Sequence, residues 1–242
     1  SAADPKDIAL FESTTESSAE SAESSAAGDS ARENGGDGSD ARGASSARKS
    51  IVAAPVASMA QERQLAVRKF NSKAKDGIRH LLERSVLPKQ PEAVADFLRT
   101  TKGLSKRRIG DYLGESSDFV SLVLTAYTKR FDFREMPFVE AVRAYLSPFR
   151  LPGEAQKIDR IMCTFSAHYC EQNPETFAND DAAYVLAFAI IMLNTDAHSS
   201  QIKKKMTLAE FLSNNRGIIA GDDLPEQLLS KVYFDITHRE IK

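Results

Sequence analysis

The chain has no tryptophan, only two cysteines and four histidines, and no long apolar segment. Its longest apolar run has 12 residues, from 182 to 193, whereas a transmembrane helix needs about 20. We therefore interpret this run as a buried core helix and predict no membrane span. The sequence begins with neither methionine nor a signal peptide, so we expect a soluble piece of a longer protein.

The motifs of many enzyme classes are missing as well. We find no glycine-rich phosphate loop, no metal-ligand spacing and no nucleophile elbow, so an enzyme with a nucleophile or a metal is the poorest interpretation. Cys163 and Cys170 lie seven residues apart on one predicted helix, which favours two buried thiols over a disulfide. A metal site that combines them with His168 is disfavoured, and we predict no metal.

Composition divides the chain near residue 60. Of the first 60 residues, 33 are serine, alanine or glycine, and Phe11 is their only aromatic residue. Such a segment cannot bury enough apolar surface to offset its ordering entropy, so we predict a disordered linker over 1–60 and one domain over 61–242. The linker has 10 acidic and 5 basic residues (net −5), the domain 24 and 27 (net +3). A weakly basic domain without an aromatic–basic stripe is not typical of nucleic-acid binding.

Apolar residues after residue 60 recur at three- and four-residue spacing, the period of an amphipathic helix. Representative positions are Leu65, Phe70, Ile78, Leu81, Phe97, Ile109, Leu113, Phe138, Val142, Ile158, Ile161, Phe165 and Tyr169. Proline and glycine punctuate these segments, and no segment alternates with period two. The pattern predicts an all-α fold of about ten short helices.

The segment from 149 to 160 reads FRLPGEAQKIDR, an apolar anchor followed by Pro-Gly and a single carboxylate. Pro152 fixes its own φ and Gly153 tolerates unusual backbone angles, so we expect a sharp turn before a helix begins. The turn places Glu154 at a rigid tip, from which it can project into another molecule. Alternatively, Glu154 only complements the dipole at the helix N-terminus.

A second polar segment, from 194 to 200, reads NTDAHSS and directly follows the apolar run. Short polar side chains can satisfy the last backbone groups of a helix, so this segment predicts a helix end at 194–196 and a loop after it. Each of its residues taken alone fits that structural interpretation. The order of the two segments is more informative than their composition.

Together the two segments resemble the two signature motifs of the Sec7 (Sec-seven) domain, the guanine-nucleotide exchange domain for Arf GTPases. The first motif of that family reads FRLPGEAQKIDR, and this chain matches it at every position from 149 to 160. The resemblance extends from Phe70 to the C-terminus and includes IGDYLG at 109–114 and NRGI at 215–218. It implies a right-handed superhelix of helices with a hydrophobic groove.

The resemblance also implies how the domain acts. Such domains release GDP from an Arf-family small GTPase, which promotes GTP loading and vesicle-coat recruitment at the Golgi. Glu154 matches the catalytic glutamate finger, which enters the site of Mg²⁺ and the β-phosphate. The positions that match the GTPase-binding groove are Phe149, Leu151, Pro152, Gly153, Asp181, Phe188, Ala189, Met192, Asn194, Thr195, Asp196, His198 and Met206.

An exchange factor of this kind needs no cofactor of its own, because GDP and Mg²⁺ are bound to the GTPase, and it performs no covalent chemistry. We expect a cytoplasmic monomer, peripheral to Golgi or trans-Golgi membranes, that contacts membrane only indirectly or through other regions. GDYLG at 110–114 and KKKMT at 203–207 resemble the large trans-Golgi members more than the small members with lipid-binding domains.

Several interpretations stay open at this stage. A non-catalytic α-helical module could dock a GTPase or another partner in the same groove, although an intact Glu154 after Pro-Gly argues against it. Met192 fits a core position as well as a contact, and His198 fits an ordinary loop histidine. Lys203–Lys205 is either a solvated face or a cluster that steers an acidic partner or an anionic membrane.

The resemblance bears on brefeldin A, which binds between such domains and GDP-bound Arf. Sensitive family members tend to carry Tyr-Ser where this chain has Phe188 and Ala189, and resistant members tend to carry Phe-Ala. Asp196 and Met206, in contrast, match the sensitive type. We therefore predict at most partial inhibition.

Overall fold

The computed structural model describes residues 56–177, 179–217 and 224–242, and within these ranges it has ten α-helices and no strand. In chain order they are α1 (Val56–Ser72), α2 (Ala74–Glu83), α3 (Pro91–Thr100), α4 (Lys106–Leu113), α5 (Asp118–Thr128), α6 (Phe138–Leu146), α7 (Ala155–Gln172), α8 (Asp180–His198), α9 (Leu208–Asn214) and α10 (Glu226–His238). The all-α prediction and the expected number of helices are confirmed. None of the described helices is long and apolar enough to cross a membrane.

The predicted linker over 1–60 lies almost wholly outside the described residues. Its last five residues are the exception, because α1 begins at Val56. The helical part of the chain thus begins slightly earlier than composition indicated. The reason is that a helix start depends on local backbone bonds, whereas the composition changes gradually along this stretch.

Side-chain caps determine where several helices begin. Ser105, Ser117 and Asn179 accept hydrogen bonds from backbone N–H groups in the first turns of α4, α5 and α8. Thr207 and Glu210 form a reciprocal capping box at α9. These bonds satisfy N–H groups that have no partner inside the helix, so each short polar residue stabilises a defined start.

An aromatic cluster forms the core where α5, α6 and α7 meet. Tyr145 lies in it, with its ring 4.9 Å from that of Phe165 and 5.4 Å from that of Phe149. The Tyr145 hydroxyl bonds Thr128 at 2.9 Å, and burial raises the pKa of Tyr145. Full burial of one such ring stabilises the fold by about 1.5–3 kcal/mol. The cluster therefore holds the loop after α6, which contains Phe149, firmly on the core.

Helix α8 packs against α7 on one side and against α10 on the other. Its buried residues are Ala182, Ala183, Leu186, Ala187, Ile190 and Leu193. The outer face is open to solvent, since Met192 is 48% exposed. The apolar run is thus a core helix on one face only, and the prediction of a buried helix is wrong for the other.

The two cysteines are both free thiols on α7. Cys170 is buried, whereas Cys163 is exposed, so the prediction of two buried thiols is wrong for Cys163. Seven residues span almost two full turns, so the two thiols lie on nearly the same side of α7, and their burial depends on what packs against the helix at each level. His168 lies between them and bonds the carbonyl of Phe131 through Nε2 at 3.0 Å.

Candidate functional site

The first motif begins in a loop between α6 and α7 that is fastened at several points. Phe149 is fully buried in the aromatic cluster. The backbone N–H of Arg150 donates to the carbonyl of Lys106 at 3.1 Å, and the Lys106 ammonium donates to the carbonyl of Ser147 at 2.7 Å. The loop is therefore attached both to the core and to the start of α4.

Gly110 lets α4 approach this loop closely. A Cβ atom at position 110 would lie 1.7 Å from the carbonyl oxygen of Arg150. No other residue type fits without moving the loop, because every other side chain begins with a Cβ atom. The sequence analysis quoted Gly110 only as part of IGDYLG, since a close backbone contact with a residue 40 positions away leaves no local signal.

The chain bends at Gly153 and α7 begins at Ala155, which confirms the sharp turn predicted before a helix. Gly153 does not adopt a positive φ in this turn, and nothing lies within 4 Å of the position of its missing Cβ. Phe149 and Pro152 are buried, so they support the turn and do not line an accessible surface, whereas Leu151 is half-buried.

Glu154 stands at the tip of this turn, immediately before α7. It is the N-cap residue of that helix, but its carboxylate makes no capping hydrogen bond. Its side chain is 70% exposed and pairs with Lys157, with 2.8 Å between Oε1 and Nζ. The helix dipole favours an anion at this end. The carboxylate nevertheless remains accessible to another molecule, because no backbone N–H group of α7 holds it.

Lys157 connects Glu154 to a second carboxylate. Its ammonium also lies 3.5 Å from Glu115, which in turn contacts Lys75 of α2 at 2.8 Å. Burial lowers the pKa of Lys157, but the ion pairs with Glu154 and Glu115 outweigh this effect and hold that pKa above its usual value. The sequence analysis missed the cluster, although the three-residue spacing of Glu154 and Lys157 is the helical signal for such a pair.

Residues 194–198 of the second motif form the end of α8, which continues to His198, and Ser199 and Ser200 follow the helix. The predicted helix end at 194–196 is wrong, and so is a loop position for His198. The helix continues because Lys205 caps its last turn: Nζ donates to the carbonyl oxygens of Asp196 and Ser199, each at 2.6 Å. Lys205 is therefore a structural cap and not a free member of a basic cluster.

Three side chains of the second motif bond the backbone of segments ten or more residues away. Asn194 accepts from the N–H of Ile241 at 2.8 Å and donates to its carbonyl at 3.3 Å. Asp196 accepts from a backbone N–H just before α9 at 2.7 Å, and His198 bonds the carbonyl of Ile236 at 2.8 Å. These bonds tie the end of α8 to the segment before α9, to α10 and to Ile241.

The accessible residues of the predicted groove lie on and beside the outer face of α8. Asp181, Met192 and Thr195 are exposed, and Phe188, Ala189 and Met206 are half-buried. Tyr184 joins this face to the first motif, because its hydroxyl donates to Asp159 of α7 at 2.5 Å and its ring lies 5.2 Å from Phe188. The sequence analysis gave Tyr184 no role, since the apolar run does not show which residue faces α7.

Comparison with known proteins identifies the family. The family model described as "Sec7 domain" matches residues 60–241. Over 181 residues the chain is 52% identical to "Brefeldin A-inhibited guanine nucleotide-exchange protein 1" of Arabidopsis thaliana, which covers 75% of this chain and 11% of that protein. The chain thus spans about a tenth of the length of such curated relatives.

Two solved structures share the fold. The Sec7p catalytic domain is 45% identical, with a TM-score of 0.69 and coverage of 74% of this chain and 95% of that chain. A Sec7 domain bound to ARF1-GDP and brefeldin A is 37% identical, with a TM-score of 0.70 and coverage of 77% and 95%. The matched range, the helical fold and the two motifs all agree. This chain belongs to the Sec7 domain family.

Proposed function

We propose that this chain is a guanine-nucleotide exchange domain that accelerates GDP release from an Arf-family GTPase. Membership of the Sec7 domain family supports the proposal, as do a relative named as a guanine nucleotide-exchange protein and the ARF1-GDP bound in a related structure. The observation that carries the proposal is the carboxylate of Glu154 at the start of α7, which is exposed and makes no capping hydrogen bond to the helix.

Exchange of this kind makes and breaks no covalent bond. The factor stabilises the nucleotide-free GTPase, and by linkage the nucleotide weakens binding of the factor as much as the factor weakens binding of the nucleotide. The obstacle is a tight, Mg²⁺-assisted phosphate site. An anion pushed toward the β-phosphate competes for the metal and for the phosphate-binding lysine, and it repels the phosphate.

The surroundings of Glu154 suit this task. Its carboxylate is exposed, whereas the loop that carries it is anchored by the buried Phe149 and by the contact of Gly110 with Arg150. A rigid loop is important, because the entropy lost on ordering a mobile loop would offset the electrostatic gain. The open space at Gly153 lets the backbone of a partner approach the tip.

The outer face of α8 is the second part of the proposed binding surface. Met192 and the half-buried Phe188 offer apolar area to the switch regions of the GTPase, and the exposed Asp181 helps to hold the GTPase in register. Asn194 and His198 act indirectly, because their side chains hold the end of α8 in place.

We assign to the reaction the consequences that the family resemblance implies: GTP loading and vesicle-coat recruitment at Golgi membranes. In this proposal the domain works as a monomer on the cytoplasmic side and brings no cofactor, since GDP and Mg²⁺ come with the GTPase. Membrane recruitment is assigned to other regions of the full-length protein, because relatives such as the Arabidopsis protein are about ten times longer than the matched part.

Release of fluorescent GDP from an N-terminally truncated Arf tests the proposal. The Glu154→Lys variant should keep its fold and slow exchange by roughly 10³, which corresponds to about 4 kcal/mol. Glu171→Lys is the matched control and should exchange like the wild type. Glu171 lies on the same helix, its side chain is also 70% exposed, and it too has a basic neighbour three positions away.

The possible outcomes separate the two interpretations of the groove. Fast release by the wild type and by Glu171→Lys, but not by Glu154→Lys, would establish the activity and the role of Glu154. If wild type and variants bind the GTPase without accelerating release, the chain is a docking module. Near-normal release by a folded Glu154→Lys variant would remove Glu154 from the mechanism.

A further inference from the structure

Four charged side chains of alternating sign lie in a row beside the proposed finger. In order they are Lys75, Glu115, Lys157 and Glu154, with neighbouring charges 2.8, 3.5 and 2.8 Å apart. Lys157 is the shared member, because it contacts the carboxylate of the N-cap residue Glu154 and the carboxylate of Glu115 in the segment after α4. Glu115 and Glu154 therefore share the Lys157 ammonium, and Glu115 also contacts Lys75.

Lys157 cannot easily turn away into solvent. Its side chain is only 14% exposed. Its stem packs so closely on Gly114 that a Cβ atom there would lie 2.6 Å from the Lys157 Cβ. Arg160, almost one turn further along α7, fixes this contact by donating to the carbonyl of Gly114 at 2.5 and 2.9 Å. The ammonium thus stays between Glu115 and Glu154 when the Glu154 carboxylate moves.

The proposed reaction requires that movement. To enter the nucleotide site, the Glu154 carboxylate must exchange Lys157 for cations of the GTPase. An ammonium on a side chain that is mostly buried is unfavourable without a counter-ion. Glu115 is near enough to prevent this, and it is anionic at neutral pH. Burial raises its pKa, but Lys75 and Lys157 outweigh that effect and hold the pKa below its usual value.

We propose that Glu115 is a positioning residue for nucleotide exchange, which takes over the ammonium of Lys157 when Glu154 leaves it. The inference rests on the proposed function and deepens it. Glu115 also contacts Lys75, but in this proposal it acts on the exchange rate through Lys157, so its contribution to that rate depends on the charge at position 157. This dependence is what a purely structural carboxylate would not show.

A double-mutant cycle measures the dependence. Glu115→Gln should slow the maximal rate of GDP release about tenfold, equivalent to about 1.4 kcal/mol, with little change in the concentration of domain that gives half the maximal rate. In a Lys157→Gln background the same substitution should change the rate less than about twofold, because no ammonium remains to be compensated. Glu115→Asp, which keeps the charge, should recover most of the loss.

Control variants distinguish a failure of the Glu115 proposal from a failure of the proposed exchange function. Glu171→Gln removes the same charge from an exposed position and should leave the rate unchanged. Thermal unfolding shows whether each variant is folded. If Glu115→Gln does not fold, Glu115→Asp tests the role of Glu115 in its place. If Glu115→Gln slowed GDP release equally in both backgrounds, or in neither, the role of Glu115 would be overturned. The proposed function would still stand if the wild type were active and Glu154→Lys inactive. An inactive wild type would overturn both.

Discussion

Gly110 packs against the loop between α6 and α7, and Gly153 lies in that loop, but the two positions are glycine for different reasons. At position 110 the backbone of Arg150 occupies the place where a Cβ would be, whereas at position 153 that place is empty. The first glycine is therefore required by the fold of this chain. The second is compatible with a small side chain in the free domain, so a requirement for glycine there comes only from the partner.

We predict that two glycine-to-alanine variants separate these roles. Gly110→Ala should lower the free energy of unfolding by about 2 kcal/mol and slow exchange, because overpacking moves the loop that carries Glu154. Gly153→Ala should change the unfolding free energy by less than about 0.5 kcal/mol, so any slower exchange reports the approach of the partner. Denaturant unfolding and GDP release measure both. An equally stable Gly110→Ala variant would contradict the close contact.

A second prediction at this scale concerns Phe188 and Ala189, which are half-buried on the outer face of α8. The double variant Phe188→Tyr, Ala189→Ser should become more sensitive to brefeldin A. Two added hydroxyls at about 1 kcal/mol each would lower the half-inhibitory concentration at least tenfold. GDP release at increasing brefeldin A measures this. Exchange without inhibitor should stay near the wild-type rate, and unchanged sensitivity would rule out this basis for resistance.

At the scale of helices, Arg143 holds the end of α10 on α6. Its guanidinium donates to the Asp235 carboxylate at 3.1 Å and to the backbone carbonyls of Asp235, Arg239 and Glu240 at 3.3, 2.5 and 3.2 Å. A cation at a helix C-terminus also complements the helix dipole. Because His198 bonds α10 through Ile236, this attachment supports the end of α8 and the candidate site as well.

The attachment predicts how stability depends on pH. Burial raises the pKa of Asp235, but hydrogen bonds from Arg143 and Arg239 outweigh this effect and hold that pKa below its ordinary value. A carboxylate whose pKa is lowered by folding stabilises the protein fully when the pH is above the pKa of the unfolded state. This stabilisation is lost as the pH falls through the pKa of the folded state. Asp235→Asn should therefore destabilise the protein by about 2 kcal/mol at pH 7, and by progressively less below the ordinary carboxyl pKa.

Urea unfolding of wild type and Asp235→Asn at pH 7, 4 and 3 tests this dependence. Asp132→Asn is the matched control, because Asp132 also pairs with an arginine but both partners are exposed, and it should not change stability measurably. A difference between wild type and Asp235→Asn that stayed the same from pH 7 to pH 3 would contradict the assigned ion pair.

At the scale of the whole molecule, α1 is joined to the domain although most of the segment before it has a linker-like composition. Phe70 of α1 is fully buried. His80 of α2 contacts α1 twice, with 2.6 Å from Nε2 to a Glu62 carboxylate oxygen and 3.1 Å from Nδ1 to the Lys69 ammonium. The functional unit should therefore include α1.

Two truncations test this boundary. Removal of 1–55 should shift the melting temperature by less than about 2 °C, which is under about 1 kcal/mol for a domain of this size, and should leave the exchange rate unchanged. Removal of 1–72 also deletes the buried Phe70 and should destabilise the domain by more than about 3 kcal/mol. Thermal unfolding and GDP release measure both. A large loss from the shorter truncation would show that the linker-like segment contributes to the fold.

Part of the site could be predicted from sequence and part could not. The position of Glu154 beside a Pro-Gly turn and the family's first motif can both be predicted from sequence, because each depends only on residues that are adjacent in the chain. The end of α8 was misplaced because Lys205, nine residues beyond Asp196, supplies its cap. The alternating charge row was missed because Glu115 lies about 40 residues before Lys157.

By itself, therefore, the sequence determined the helical class and the family, because helical periodicity and contiguous motifs are properties of neighbouring residues. Only the tertiary structure decided that Phe149 is buried while Glu154 is exposed, and that Lys157 is shared by two carboxylates. Burial and ion pairing depend on which distant segments meet. That information arises only when the helices pack.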